Sequence, residues 1–220
     1  MRKQYLSFTR NIFQNIIRIE KRSCYFKFKT IITSIIVAAS FCSRAPDKPG
    51  LKIVSLSPAM TEILFAIGAE TNLVGVTTFC DYPEQAKQIY KVGDFSHPSI
   101  ERIIGLKPNM VIVNLPEQMR IKQQLDNLKI NVFVSTPKSL SDLYSEIIEI
   151  GKIVNREERA DSLVHYMQTH IKHCTDKRLK RVYIELSPRP LVTVGQTSFL
   201  NELLERAGGE NIFSDLQKDY

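Results

Sequence analysis

The run "NMVIVN", residues 109–114, is the strongest constraint on how this chain folds. Its apolar residues follow one another without a polar interruption, and a strand of that kind is covered on both faces, as interior strands of parallel sheets are. The segments around it alternate between strand and helix. "LKIVSLSP" reads as a β-branched strand that ends in a polar turn. Ser57 is placed to cap a helix, Pro58 suits its first position, and "AMTEILFAIGA" carries a helical apolar period up to a stop at Gly68. "NLVGVTTF" is a second strand. "SIERIIGLKP" is a short helix capped by Ser99 and ended by Pro108. A charged helix near 117–128, the strand "INVFVST" and the helix "SLSDLYSEIIEIGKIV" follow. Strands and helices alternating in such short runs predict an α/β fold, a doubly wound parallel sheet, over an N-terminal lobe at 51–155.

Sheets of this kind take ligands outside the carboxyl ends of their strands. Three loops, Phe79–Tyr82, Asp94–His97 and Asn114–Glu117, follow strands or lie between them, so one rim is expected to collect them. The turn after the first strand, "SLSPAMTE", has neither the dinucleotide glycine fingerprint nor the Walker pattern. A nucleotide-dependent enzyme loses its usual handle.

Beyond 155, Ala160, Leu163, Val164, Met167, Ile171 and Cys174 recur at helical spacing among charged residues, with His165, His170 and His173 turned to solvent. This predicts a bridging helix over 156–180. "KRVYIELS" then opens a strand, and "SFLNELLERAGG" is a helix closed by Gly208. Residues 181–220 thus offer one strand, one helix and a tail. That is too little to bury a core, so an incomplete C-terminal lobe is expected, with "VYIELSPRPLVTVG" exposing apolar surface.

A formal net charge of +7 raises the question of nucleic acid, and the location of the charge answers it. Residues 1–42 hold eight basic side chains and one acid, which leaves 22 basic and 22 acidic residues from Ser43 onward. The body is neutral, and a nucleic-acid partner is not expected. The basic N-terminus leads into "IITSIIVAASFC", too short for the roughly 20 apolar residues of a bilayer span. Residues 1–42 therefore read as a targeting segment, followed by a polar spacer at 43–50. Val37 and Ala39 suit simple signal-peptidase cleavage, while Cys42 in "ASFC" suits lipidation, with Phe41 departing from that motif's small residue. Either route predicts an exported protein, in the periplasm or on the outer face of a membrane.

Cys24, Cys42, Cys80 and Cys174 show no metal-ligand spacing. Cys80, Asp81, Asp94 and His97 allow a metal- or thiol-dependent hydrolase with Cys80 and His97 as nucleophile and base. They lack tight local spacing and a recognisable oxyanion element. They are expected instead to be exposed polar loop residues, with no catalytic role, no metal and no cofactor.

Four segments, "IVSLSPAMTEILFAIGA", "LVGVTTFCDYP", "KVGDFSHPSIERIIGLKPNMVI" and "LVTVGQTSFLNELLERAGGENIF", run in one order over about 51–213. Together they resemble the cobalamin-binding substrate-binding proteins of ATP-binding-cassette importers, a group that also includes siderophore and haem binders. The resemblance implies two lobes joined by one long helix, with a corrinoid held between them by aromatic loops and delivered to a membrane permease. It implies ligand contacts at Phe79 and Phe95, with Tyr82 as a neighbour. Rigid aromatic faces suit a large ring system with an amide rim. It also points to Asn114 and Val192, where relatives carry aromatic residues. The chain has no Trp, whereas relatives often place one at the positions of Phe95 and Asn114. Glu101 matches the acid that docks onto permease arginines, and it equally suits the first turn of its own helix.

Overall fold

The computed structural model describes residues 50–171, Cys174 and residues 180–217. The targeting segment with Cys42, nearly all of the spacer, and His173 lie outside the described residues.

Strands β1 (Ile53–Ser55), β2 (Leu73–Val76), β3 (Met110–Asn114) and β4 (Val132–Ser135) form one parallel sheet in the order β2-β1-β3-β4. Helices α1 (Pro58–Ala66), α2 (Ile100–Gly105), α3 (Met119–Asn127) and α4 (Leu140–Ile153) connect or follow these strands. Two of their caps, Ser57 and Ser99, are those the sequence predicts, and Ser139 supplies a third. Ser57 Oγ accepts from Met60 N, Ser99 Oγ from Arg102 N and Ser139 Oγ from Asp142 N. Gly68 ends the first helical segment at φ +72°, a left-handed conformation that costs a side-chain-bearing residue more than glycine.

The double burial of "NMVIVN" follows from the period-2 alternation of a strand. Ile112, with Ile53 and Phe133, packs against Met60 and Leu64 of α1 and Ile147 and Ile150 of α4. Val111 and Val113, with Val54, pack on the opposite side against Ile103 of α2 and Leu125 of α3. Both faces are closed, as a parallel sheet requires.

Helix α5 (Glu157–His170) does not continue α4. Asn155 takes φ +55°, and the N–H of Arg156 donates back to the Gly151 carbonyl at 2.7 Å. The buried Arg156 also donates from Nε to Gly68 O at 3.0 Å, tying this corner to the end of α1. Ala160, Val164 and Met167 are buried, and His165 and His170 are exposed. Cys174 departs from its expected place on the apolar face. It lies beyond the end of α5, is exposed, and donates its N–H to Arg206 O at 2.7 Å.

The later residues are richer in strands than the sequence predicts. "KRVYIELS" divides into β5 (Lys180–Val182) and β6 (Glu185–Pro188), because its two halves find different partners. β5 pairs in parallel with β8 (Gly209–Asn211), and β6 pairs antiparallel with β7 (Leu191–Thr193). Helix α6 (Phe199–Arg206), capped by Ser198, connects β7 to β8. Four short strands and a helix replace the expected single strand and helix. Leu191 is 67% exposed and Val194 fully buried, so the expected apolar exposure holds for one part of the segment and not the other.

Candidate functional site

The sheet order places a topological switch between β1 and β3. From β1 the chain moves to β2 on one side, then crosses to β3 on the other. The carboxyl end of that pair is where doubly wound sheets open a crevice. Here the crevice is filled from within. Gln118, 1% exposed, donates from Nε2 to Leu56 O at 3.1 Å and to Phe95 O at 2.8 Å. Its Oε1 accepts from the N–H of Asn114 at 2.8 Å. One carboxamide thus joins the end of β1, the end of β3 and the loop that carries Phe95.

The Phe95 loop is a tight turn built on its own acid. Asp94 Oδ1 accepts from His97 N at 2.6 Å, and an isolated bridge between Gly93 and Pro98 closes its base. Phe95 is half-buried, and the His97 ring is exposed.

The loop after β2 is anchored by Cys80. Thr61 Oγ1 and Thr77 Oγ1 each lie 3.3 Å from its Sγ, and the Thr61 hydroxyl is also 2.9 Å from Ser55 Oγ and Ser57 O. Cys80 is 1% exposed, so its expected place as an exposed loop residue is corrected. Its thiol is committed to a buried hydroxyl cluster, whereas His97 Nδ1 faces Asp94 Oδ1 at 3.6 Å. The two groups of the hydrolase alternative are engaged separately. No group of three or more His, Cys, Asp or Glu able to hold a metal ion occurs among the described residues.

Lys91 reaches under the same loop and donates from Nζ to Cys80 O at 3.0 Å and Ala86 O at 2.9 Å. Burial lowers its pKa, and Cys80 and Asp81 oppose that shift. Phe79 is half-buried in the fastened turn. Tyr82 is 48% exposed and lines an open groove of about 490 Å³, with Phe65, Glu62, Glu70 and Arg159. Phe79, Phe95 and Asn114 are not among the residues that line that groove.

The rim ends at β4, where Glu146 of α4 holds the outgoing chain. Its Oε2 accepts from Ser135 Oγ at 2.8 Å and its Oε1 from Thr136 N at 2.9 Å. Burial raises its pKa above the usual carboxylate range, although both hydrogen bonds favour the charged form. Glu101 lies exposed in the first turn of α2 and accepts from Ser99 Oγ at 2.8 Å. That bond lowers its pKa. Val192 is half-buried on β7, opposite Ser187, in a strand pair separate from the rim sheet.

The structure thus brings Phe95 and Asn114 together through Gln118, and seats Phe79 on the adjoining turn. Neither Gln118 nor Glu146 stands out in the sequence as a site residue, because each reads as an ordinary polar helix residue. The available signal for Gln118 was its four-residue spacing from the polar end of β3.

The model of the periplasmic binding protein family matches residues 53–220. An ABC transporter substrate-binding lipoprotein of Bacillus subtilis, YvrC, is 36% identical over 176 residues, covering 74% of this chain and 56% of that protein. The periplasmic vitamin B12 binding protein BtuF of Vibrio cholerae superposes with a TM-score of 0.65 at 28% identity, over 77% of this chain and 69% of that one. The periplasmic heme binding protein HutB of Vibrio cholerae superposes with a TM-score of 0.63 at 25% identity, over 74% of this chain and 66% of that one. The chain spans 56% to 62% of the length of the curated relatives it matches. A sheet of this order, its carboxyl-end loops and a match extending from β1 to the last residue carry one conclusion: the chain belongs to the periplasmic binding protein family.

Proposed function

We propose that this chain is the ligand-binding component of an ABC importer, without catalytic activity, and that its rim takes a corrinoid. The observation that carries the reading is the placement of Phe79 and Phe95 on two fastened loops at one end of the sheet. Aromatic surfaces held this way suit a large ring system. Similarity to the vitamin B12 binding protein supports the corrinoid. Glu101, exposed near the start of α2, is the proposed permease contact. Similarity to a substrate-binding lipoprotein and the apolar segment before Cys42 support export, with a lipid anchor at Cys42 as one route. Among the described residues no helix is long and apolar enough to cross a membrane.

Haem is the second reading. It is favoured by the heme-binding neighbour and by exposed Tyr82 and His97, residue types that ligate haem iron. Visible absorbance titration of the purified chain with cyanocobalamin, cobinamide, hemin and a ferric siderophore tests both. Saturable changes with the two corrinoids are expected. A Soret shift with hemin alone would replace corrinoid by haem, and no response to any probe would remove the ligand reading for this chain.

A further inference from the structure

Gln118 is a fully buried polar side chain at the switch point of the sheet. Doubly wound sheets commonly admit ligands at that point, against strand ends and helix N-termini. Here the acceptor at Leu56 O and the donor at Asn114 N are already occupied by one carboxamide. The same Nε2 holds Phe95 O, so the filled crevice and the aromatic loop are mechanically joined. We infer that Gln118 is a positioning residue: it closes the crevice between β1 and β3 and presents Phe95, so that ligand rests on the side-chain surface above the strands and not against their backbone.

This inference rests on the rim being the ligand site, and it narrows the ligand class. A ligand gripped by backbone N–H groups, such as a phosphate, finds the switch point taken. A broad, flat ring system needs no entry to the crevice and gains from a fixed aromatic loop. Both shape-preserving replacements interrupt the link. Gln118→Met fills similar space but cannot hydrogen-bond Leu56 O, Phe95 O or Asn114 N strongly. Gln118→Glu, when ionised, sets a carboxylate against two carbonyl oxygens and retains only the Asn114 bond.

The test is amide hydrogen exchange on the full chain, with cyanocobalamin and hemin titrations alongside. In both variants, residues 94–97 are expected to exchange at least tenfold faster while the buried strand amides of Val54 and Val111 keep their protection. Uptake of whichever probe the unaltered chain binds is expected to weaken at least tenfold. Unchanged exchange at 94–97 would overturn the inference. So would equal acceleration across β1 and β3, or failure of both variants to fold, since either marks a general stabiliser of the sheet. Unchanged affinity with a loosened loop would also overturn it. If the unaltered chain binds neither probe, the ligand reading falls separately, and the exchange measurement still decides whether Gln118 positions the loop.

Discussion

The N–H of Leu140, the first residue of α4, donates to Oε2 of Glu202 on α6 at 2.8 Å. The bond spans 62 positions and ties the later α/β segment to the start of a helix in the core lobe. Arg206 holds the other carboxylate oxygen, with Nε at 3.1 Å and Nη2 at 2.9 Å from Oε1. A carboxylate at a helix N-terminus satisfies an orphan N–H and complements the helix dipole. Glu202→Ala is expected to cost about 0.5–2 kcal/mol of stability, the range for losing a helix-capping side chain. Urea unfolding measures this. No change would mean that solvent replaces Glu202 at no cost.

The proposed ligand contacts predict a difference between binding and folding. Phe79→Ala and Phe95→Ala are each expected to weaken corrinoid binding by about 1–3 kcal/mol, in the range of aromatic anchors at binding surfaces. Calorimetry checks affinity, and circular dichroism checks that the lobe remains folded. Unchanged affinity in both variants would remove these loops from the site.

Glu146 predicts a pH dependence whose sign follows from its burial. Its folded pKa is raised, chiefly by burial, so the folded state binds this proton more tightly than the unfolded chain does. The associated stability is present in full below the ordinary carboxylate range, and is lost as pH rises through the raised folded pKa. Glu146→Gln keeps an acceptor for Thr136 N and removes the titration. Stability measured by urea unfolding from pH 4 to pH 8 is expected to lose this component in the variant. An identical pH profile in both proteins would contradict the assignment.

At Gly151 two effects oppose each other. Alanine is favoured over glycine inside a helix by roughly 1 kcal/mol. A Cβ at Gly151 would lie only 2.5 Å from the Cβ of Ala160, where α4 and α5 meet. Overpacking of a tight core costs about 1–3 kcal/mol, so Gly151→Ala is expected to destabilise despite its better propensity. The double variant Gly151→Ala/Ala160→Gly should recover part of the loss in thermal unfolding. Stabilisation by the single variant would show that the helices separate readily.

Residues 180–217 are expected to exchange faster than the core sheet. Their pairs are two-stranded, and Tyr183, Leu191 and Ile212 are exposed at 41%, 67% and 38%. β1 and β3 are covered on both faces. Hydrogen exchange of the full chain compares the two directly. Equal protection would show that the later strands share the stability of the core.

By itself the sequence determined the local elements that depend on near neighbours. Ser57 and Ser99 cap the helices they precede, Gly68 terminates one, and the apolar run through Val113 demands two covers. Those choices follow from hydrogen bonds within one turn and from side-chain alternation, which are readable along the chain. Tertiary structure decided what depends on distant partners. Cys80 is buried because Thr61 and Thr77 converge on it, and "KRVYIELS" divides because Val182 pairs with Asn211 while Glu185 pairs with Thr193. Gln118 acquires its place only when Leu56 and Phe95, 62 and 23 positions away, present their carbonyls to it. A polar side chain carries no mark in the sequence that it will be buried, because its burial is stable only once the fold supplies every partner it needs.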